Sequence, residues 1–318
     1  MKRPGSSNRT AAISPRVSPS GEQINLAYEG HRAVVVEFGG GLRTYSYGGI
    51  DLLDGYAEED VCSSGRGQIL APWPNRIEDG FYSFGGEECQ LPITEVSTST
   101  AIHGLTRWMP WIVEEHTSSR AMLSCTLYPQ PGYPFLLVMS IQYQLAETGL
   151  SVKVTATNRG DSASPFGAGA HPYLRLGTET VDSLSLSCPA SAYLVSNERG
   201  LPVDKKFVEG TPYDFREEHT IGSLQLDHAF SDLERDAAGR ARISLRDPAS
   251  DRALVVWMDE HYRYAMLFTG DALPDVRRRS IAIEPMTCPP NAFCSGDDLI
   301  VLQPWKTFAA EWGIEPLF

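Results

Sequence analysis

Leu150, Val152, Val154 and Ala156 alternate with Ser151, Lys153, Thr155 and Thr157, and a two-residue repeat is what a strand needs when one face is buried and the other is wet. A helix, with its period of 3.6, would scatter those apolar side chains around its axis. Short runs rich in β-branched and aromatic residues recur at 32–38, 121–128, 135–145, 241–245, 253–258, 265–269 and 280–283. Turn formers such as Asn158-Arg159-Gly160 and Asp247-Pro248 punctuate them, so the connections are short. Many strands without long amphipathic helices between them predict an all-β fold, a large antiparallel β-sandwich.

A chain of 318 residues is long enough for two domains, although one large all-β domain also reaches this size. Nothing in the sequence divides it. The Ser- and Gly-rich stretch 62–67 runs straight into Ile69-Leu70-Ala71-Pro72-Trp73, which marks a loop and not a linker. We expect residues 1–20, with Lys2, Arg3, Arg9 and Arg16 among Ser, Pro and Asn, to form a disordered extension, and residues 21–318 to form a single domain. No apolar run of signal-peptide or membrane-spanning length follows the basic start.

Charge narrows the partners. The net charge of −13, without a basic stripe, opposes nucleic acid and anionic membranes. Six scattered cysteines with no C-x-x-C pair fit reduced thiols and a cytoplasmic location. Gly39-Gly40-Gly41 follows a strand but lacks the G-x-G-x-x-G spacing, so it reads as a tight turn and not a phosphate cradle. The seven histidines form no H-x-x-x-H pair and the cysteines no chelating pair, so no metal site is expected.

The remaining polar residues suit sugar chemistry. In Pro72-Trp73-Pro74-Asn75-Arg76-Ile77 an amide and a fixed positive charge stand beside an indole, able to donate to hydroxyls while a ring covers a sugar face. The plainer reading pairs Arg76 with Glu78 or Asp79. His103-Gly104 precedes Thr106-Arg107-Trp108, and His171-Pro172-Tyr173 sits at a strand end. Proline restricts the residue before it to extended backbone, which gives His171 a stiff direction suited to a proton donor, although such a histidine also serves in turns and cores. Glu284 ends the apolar run Ile281-Ala282-Ile283. A carboxylate there needs either an arginine partner or a task, because burying it unpaired is expensive.

Together and in this order, these segments resemble the aldose 1-epimerase (galactose mutarotase) family: Asn75-Arg76-Ile77, His103-Gly104, His171-Pro172-Tyr173, Asp227-His228-Ala229-Phe230 and Glu284-Pro285, with Gly39–Arg43 and Gly49–Leu53 similar to its opening hairpins. The resemblance runs from about residue 25 to the C-terminus. It implies a sandwich with a sugar cleft, no cofactor, a small-molecule aldose as partner, a monomer or homodimer, and interconversion of α and β anomers of a free hexose. It assigns Glu284 as the general base on the anomeric hydroxyl and His171 as the general acid on the ring oxygen, from opposite sides of the pyranose. His103 and Arg76 would lie near the ring oxygen and Asp227 would accept sugar hydroxyls. Asn75, Tyr173, Arg107 and Trp108 complete the expected substrate-binding set.

On reference values the glutamate is ionised at neutral pH and a histidine partly protonated, and nearby carboxylates would favour the imidazolium. Three rival readings remain. Arg107, in a His-Gly-x-x-Arg pattern similar to that of the hexose-6-phosphate mutarotases, would suit a sugar phosphate, though Pro72–Arg76 resembles the branch acting on uncharged sugars, which we favour. A non-catalytic sugar-binding protein would keep the cleft without the chemistry. A glycosidase would use Asp227 and Glu284 as its carboxylate pair, leaving both histidines unexplained. The resemblance also departs at Pro304-Trp305, where many relatives carry Pro-Gly, implying a different turn.

Overall fold

The computed structural model describes residues 17–273 and 276–318. Every run read as a strand is one, with ends moved by a few residues: His31–Val36, Arg120–Leu127, Leu137–Ala146, Gly149–Asn158, Ala241–Asp247, Arg252–Met258, Tyr264–Phe268 and Ile281–Met286. Two large antiparallel sheets dominate. In the nine-stranded sheet, Leu137–Ala146, Gly149–Asn158 and Thr307–Pro316 run side by side, with Val152 opposite Tyr143 on one side and Trp312 on the other. The alternation in Gly149–Asn158 has its expected consequence, with Val152, Val154 and Ala156 buried and Lys153 in solvent.

The eight-stranded sheet has Ala190–Ser196, Asp227–Leu233, Tyr264–Phe268 and Ile281–Met286 at its centre. One apolar cluster takes Val152, Val154, Trp312 and Ile243 from the first sheet and Ala265, Leu267, Ile281 and Ile283 from the second. Each valine, leucine or isoleucine among them contributes about 1.5–3 kcal/mol on leaving water, so the paired faces hold the fold. The only α-helix among the described residues is the single turn Ala292–Ser295, and no described helix is long and apolar enough to cross a membrane.

The Gly39–Gly41 turn is as tight as expected. At Gly40 (φ +60°) a Cβ would stand 2.9 Å from the Trp111 ring, so only glycine lets the turn close there.

Three expectations are corrected. Most of the extension assigned to residues 1–20 lies outside the described residues, but Ser18–Ser20 is an ordered turn: the Ser18 carbonyl accepts the Gly21 N–H at 2.9 Å and the Ser20 carbonyl accepts the Phe38 N–H at 3.0 Å. Trp305 has φ +64°, so the chain makes with a large side chain the kind of turn that glycine permits. The Arg159 guanidinium lies 5.4 Å from the centre of the Trp305 indole ring. Trp73, expected over a sugar, is 2 % exposed and packs edge-on against Phe293 in the core.

Candidate active site

Period two divides the strand Ile281–Met286 between two environments. Ile281 and Ile283 face the core, while Glu284 and Met286 point to the other face of the sheet. Glu284 is paired across the sheet with Met266, and the next strand places Asp227 opposite Phe268. On the other side of Ile281–Met286 the ladder is broken. Gly169 pairs with Met286 and Tyr173 with Ala282, so in this antiparallel register His171 falls across from Glu284. Pro172 has no N–H to continue the ladder, and its carbonyl accepts the Ile283 N–H at 3.3 Å. His171 and Glu284 are therefore a cross-strand pair on one face, His171 Nε2 standing 3.3 Å from Glu284 Oε1.

The imidazole is held from several directions. Its ring stacks on Tyr173 at 4.7 Å, and Tyr173 donates its hydroxyl to the Ser64 carbonyl at 3.1 Å. Behind it, a Cβ on Gly65 would be 2.9 Å from the ring. The second histidine, His103, meets His171 edge-on at 5.2 Å. His103 Nδ1 accepts the Asn75 N–H at 3.2 Å, which leaves its proton on Nε2. Gly104 (φ +71°) follows because a Cβ there would stand 2.1 Å from the Ala71 carbonyl oxygen.

Arg76 pairs with neither Glu78 nor Asp79, which instead bind Arg199 at 3.0 and 2.6 Å. Its partner is Glu95, in a bidentate contact of 2.6 and 2.9 Å that Thr98 and Thr100 reinforce at 2.6 and 2.9 Å. Glu95 escapes sequence reading because it lies in a turn 19 residues from Arg76, brought there by pairing of Arg76–Glu78 with Thr100–Ile102. E95Q is expected to lower kcat/KM for a sugar about tenfold, since the freed guanidinium loses charge-assisted bonds and turns toward Asp227. Unchanged steady-state kinetics would show that the orientation of Arg76 is irrelevant.

These residues surround a cleft of about 400 Å³, a volume ordinary for a small-molecule site. Asn75, Arg76, His103, Arg107, Trp108, His171, Tyr173, Asp227 and Glu284 all line it. Sequence reasoning also missed Gln68, Met266 and Phe268 on its wall, which no motif marks. The exposed indole at the cleft is Trp108, not Trp73. Depressions of about 470 and 530 Å³ elsewhere contain neither a histidine nor a buried carboxylate. Among the described residues no cluster of three or more His, Cys, Asp or Glu is placed to hold a metal ion.

Electrostatics depart from the expected ionised glutamate and imidazolium. Burial pushes the Glu284 carboxyl well above the carboxylate range; Asp227 adds to this and Arg76 opposes it. Burial likewise pushes His171 down to about 3, with Arg107 and Arg66 adding repulsion. His103 is lowered by burial, then by His171, Arg107 and Arg76. Asp227, at the rim of the cleft, is still raised by burial against the pull of Arg76. Desolvation thus outweighs the attraction between imidazolium and carboxylate. The pair avoids both the net negative and the net positive state, and holds one proton, on the glutamate side.

The family model described as aldose 1-epimerase matches residues 22–315. An uncharacterized protein of Escherichia coli (strain K12), YihR, is 35 % identical over 288 residues, covering 90 % of this chain and 91 % of YihR. Galactose mutarotase of Mus musculus is 26 % identical over 222 residues, 64 % of this chain and 62 % of that one. The crystal structure of a GalM/aldose epimerase homologue from C. elegans superimposes with a TM-score of 0.83 at 19 % identity, over 93 % of this chain and 98 % of the other, and shows the same fold. With its motifs gathered in one cleft and the family matched along almost its whole length, the chain belongs to the aldose 1-epimerase family.

Proposed function

We propose that the protein is an aldose 1-epimerase that interconverts the α and β anomers of a free hexose by general acid–base ring opening and reclosure. The observation that carries this reading is the contact between His171 and Glu284, 3.3 Å apart and buried together. Ring opening takes a proton from the anomeric hydroxyl and gives one to the ring oxygen, and both oxygens are bonded to C1. Two groups in contact on one side therefore reach both oxygens, and placement on opposite sides of the sugar is not needed.

The proton count agrees. Before opening, the reaction needs carboxylate and imidazolium; after opening, carboxylic acid and neutral imidazole. Both states are net neutral, which is what a desolvated pair tolerates. Burial favours the second state. A sugar that donates its anomeric hydroxyl to Glu284 and accepts from His171 Nε2–H stabilises the first, so binding prepares the base. The aldehyde then turns about the C1–C2 bond and closes on its other face by the reverse transfers. Arg76 and Asp227 supply a donor and an acceptor for hydroxyls, and Trp108 an apolar plane. The galactose mutarotase relative supports the activity class. A non-catalytic sugar-binding protein would have no use for two unpartnered buried atoms, His171 Nδ1 and Glu284 Oε2, beside an acid–base pair.

Polarimetry of freshly dissolved α-glucose and α-galactose tests this: the approach to equilibrium rotation accelerates with protein, and no acceleration with any aldose would overturn the reading. The pH profile is a further expectation. The acid limb marks entry of a second proton, resisted by His171, and the alkaline limb loss of the only proton, resisted by Glu284. Turnover should then stay flat through the range around the ordinary histidine value of about 6.5, with no step there. A fall centred near 6.5, the ordinary histidine value, would show that the two groups titrate independently.

A further inference from the structure

The turn between the strands Ala190–Ser196 and Pro202–Phe207 carries none of the family's motifs, yet it closes on the cleft from the side of Arg76. It is stiff by itself. Asn197 Oδ1 accepts the Arg199 and Leu201 N–H groups at 2.9 and 3.1 Å, the Asn197 carbonyl accepts the Gly200 N–H at 2.9 Å, and Leu201 is buried. From this turn Arg199 reaches two segments much earlier in the chain. Its Nε donates to the Thr98 carbonyl at 2.8 Å and its Nη2 to the Ser99 carbonyl at 3.1 Å, while Glu78 and Asp79 take the rest of the fork. Glu78 ends the strand that begins with Arg76, and Thr98 is one of the two threonines that fix Glu95. One guanidinium therefore ties the turn to both segments that carry the Arg76–Glu95 pair.

Gly200 (φ +71°) lies against the Arg76 guanidinium: a Cβ there would stand 2.4 Å from Nη1, 2.9 Å from Cζ and 3.2 Å from Nε. Glycine is required twice over, by the left-handed backbone and by the contact. Glu95 occupies Nε and Nη2, so Nη1 is the nitrogen left to donate to a sugar, and Gly200 is what stands beside it. Arg76 also sits on a divide. With Asp227 and Met266 it lines both the cleft and a neighbouring depression of about 250 Å³ whose wall is the turn itself.

We propose that the 197–200 turn is a positioning element of the active site: Arg199 latches it to the segments bearing Arg76 and Glu95, and Gly200 sets where Arg76 Nη1 comes to rest, and so where a sugar hydroxyl is met. The inference rests on the proposed epimerase activity and adds to it two residues that act through Arg76. An arginine one-third exposed adds little to stability through its acidic partners, so the effect of the latch is on geometry.

G200A, assayed by exchange NMR between the anomers of glucose and galactose, tests it. To go from 2.4 Å to an ordinary contact of 3.4 Å the guanidinium must withdraw by about 1 Å, and kcat/KM should fall about 30-fold, within the 10²-fold that such a misplacement can cost. G210A is the control. Gly210 has φ +72° and a Cβ there meets nothing within 4 Å, so this variant carries the same backbone strain and should keep full activity. In R76A the guanidinium is gone, and adding G200A should cost nothing further, the coupling expected of groups in contact. R199M should lose about fivefold, the upper range for a partly exposed ion pair, with partial recovery in R199K. The R199M result decides the matter if G200A fails to fold or R76A is too slow to measure. An equal loss in G210A, or an undiminished loss from G200A in R76A, would assign the effect to the backbone and overturn the inference, as would unchanged kinetics in R199M, with the epimerase reading left standing. Turnover of no sugar by the unaltered protein would overturn both.

Discussion

E284Q is expected to lower kcat for mutarotation by about 10³-fold without lowering the thermal melting point, since a positioned base contributes 10²–10⁴-fold and the amide has the shape of the acid it replaces. The carboxyl is 2 % exposed, its Oε2 lacks any hydrogen bond, and its neighbours are Met266 and the His171 ring. Such a site stabilises the fold little and penalises charge, so removing the acid should leave the melting point equal or slightly raised, the usual relation between catalytic groups and stability. Polarimetric kcat and a thermal melt, on the same preparation, decide it. Near-normal turnover in a folded E284Q would mean that the base is another group, with Asp227 next to be tested.

H171N should lose about 10²–10³-fold in kcat by the same measure, with a modest fall in melting point as the stack on Tyr173 is given up. Because the two groups exchange one proton, their losses should not add, and the double variant should be about as slow as the slower single one. A multiplicative loss would show two independent catalytic steps. Should H171N retain most of its activity, the acid would be His103, whose Nε2–H is already free to donate because Nδ1 accepts from Asn75.

The strands were legible because their signal is local. Leu150 to Thr157 states in eight letters which face is wet, whatever the strand's neighbours are. The site was legible as residue types: all nine candidates line one cleft. The two tryptophans show where that legibility stops. Trp73 and Trp108 each stand beside an arginine-bearing motif, and nothing in the sequence tells that the first packs on Phe293 while the second faces the cleft. The arginines repeat the lesson, since Arg76 ignores its acidic neighbours for Glu95, and Arg107 finds no carboxylate among the described residues.

By itself, then, the chain's order of residues determined an antiparallel all-β architecture, the membership of the cleft and the need for a buried acid beside a histidine. Only the tertiary structure decided that His171 lies across from Glu284, that burial disfavours charge on both, and that Arg107 meets no carboxylate among the described residues. The reason is range. Side-chain alternation is a property of consecutive residues, whereas a register spans more than a hundred positions and desolvation sums over every atom that has displaced water, neither of which exists before the sheets have closed.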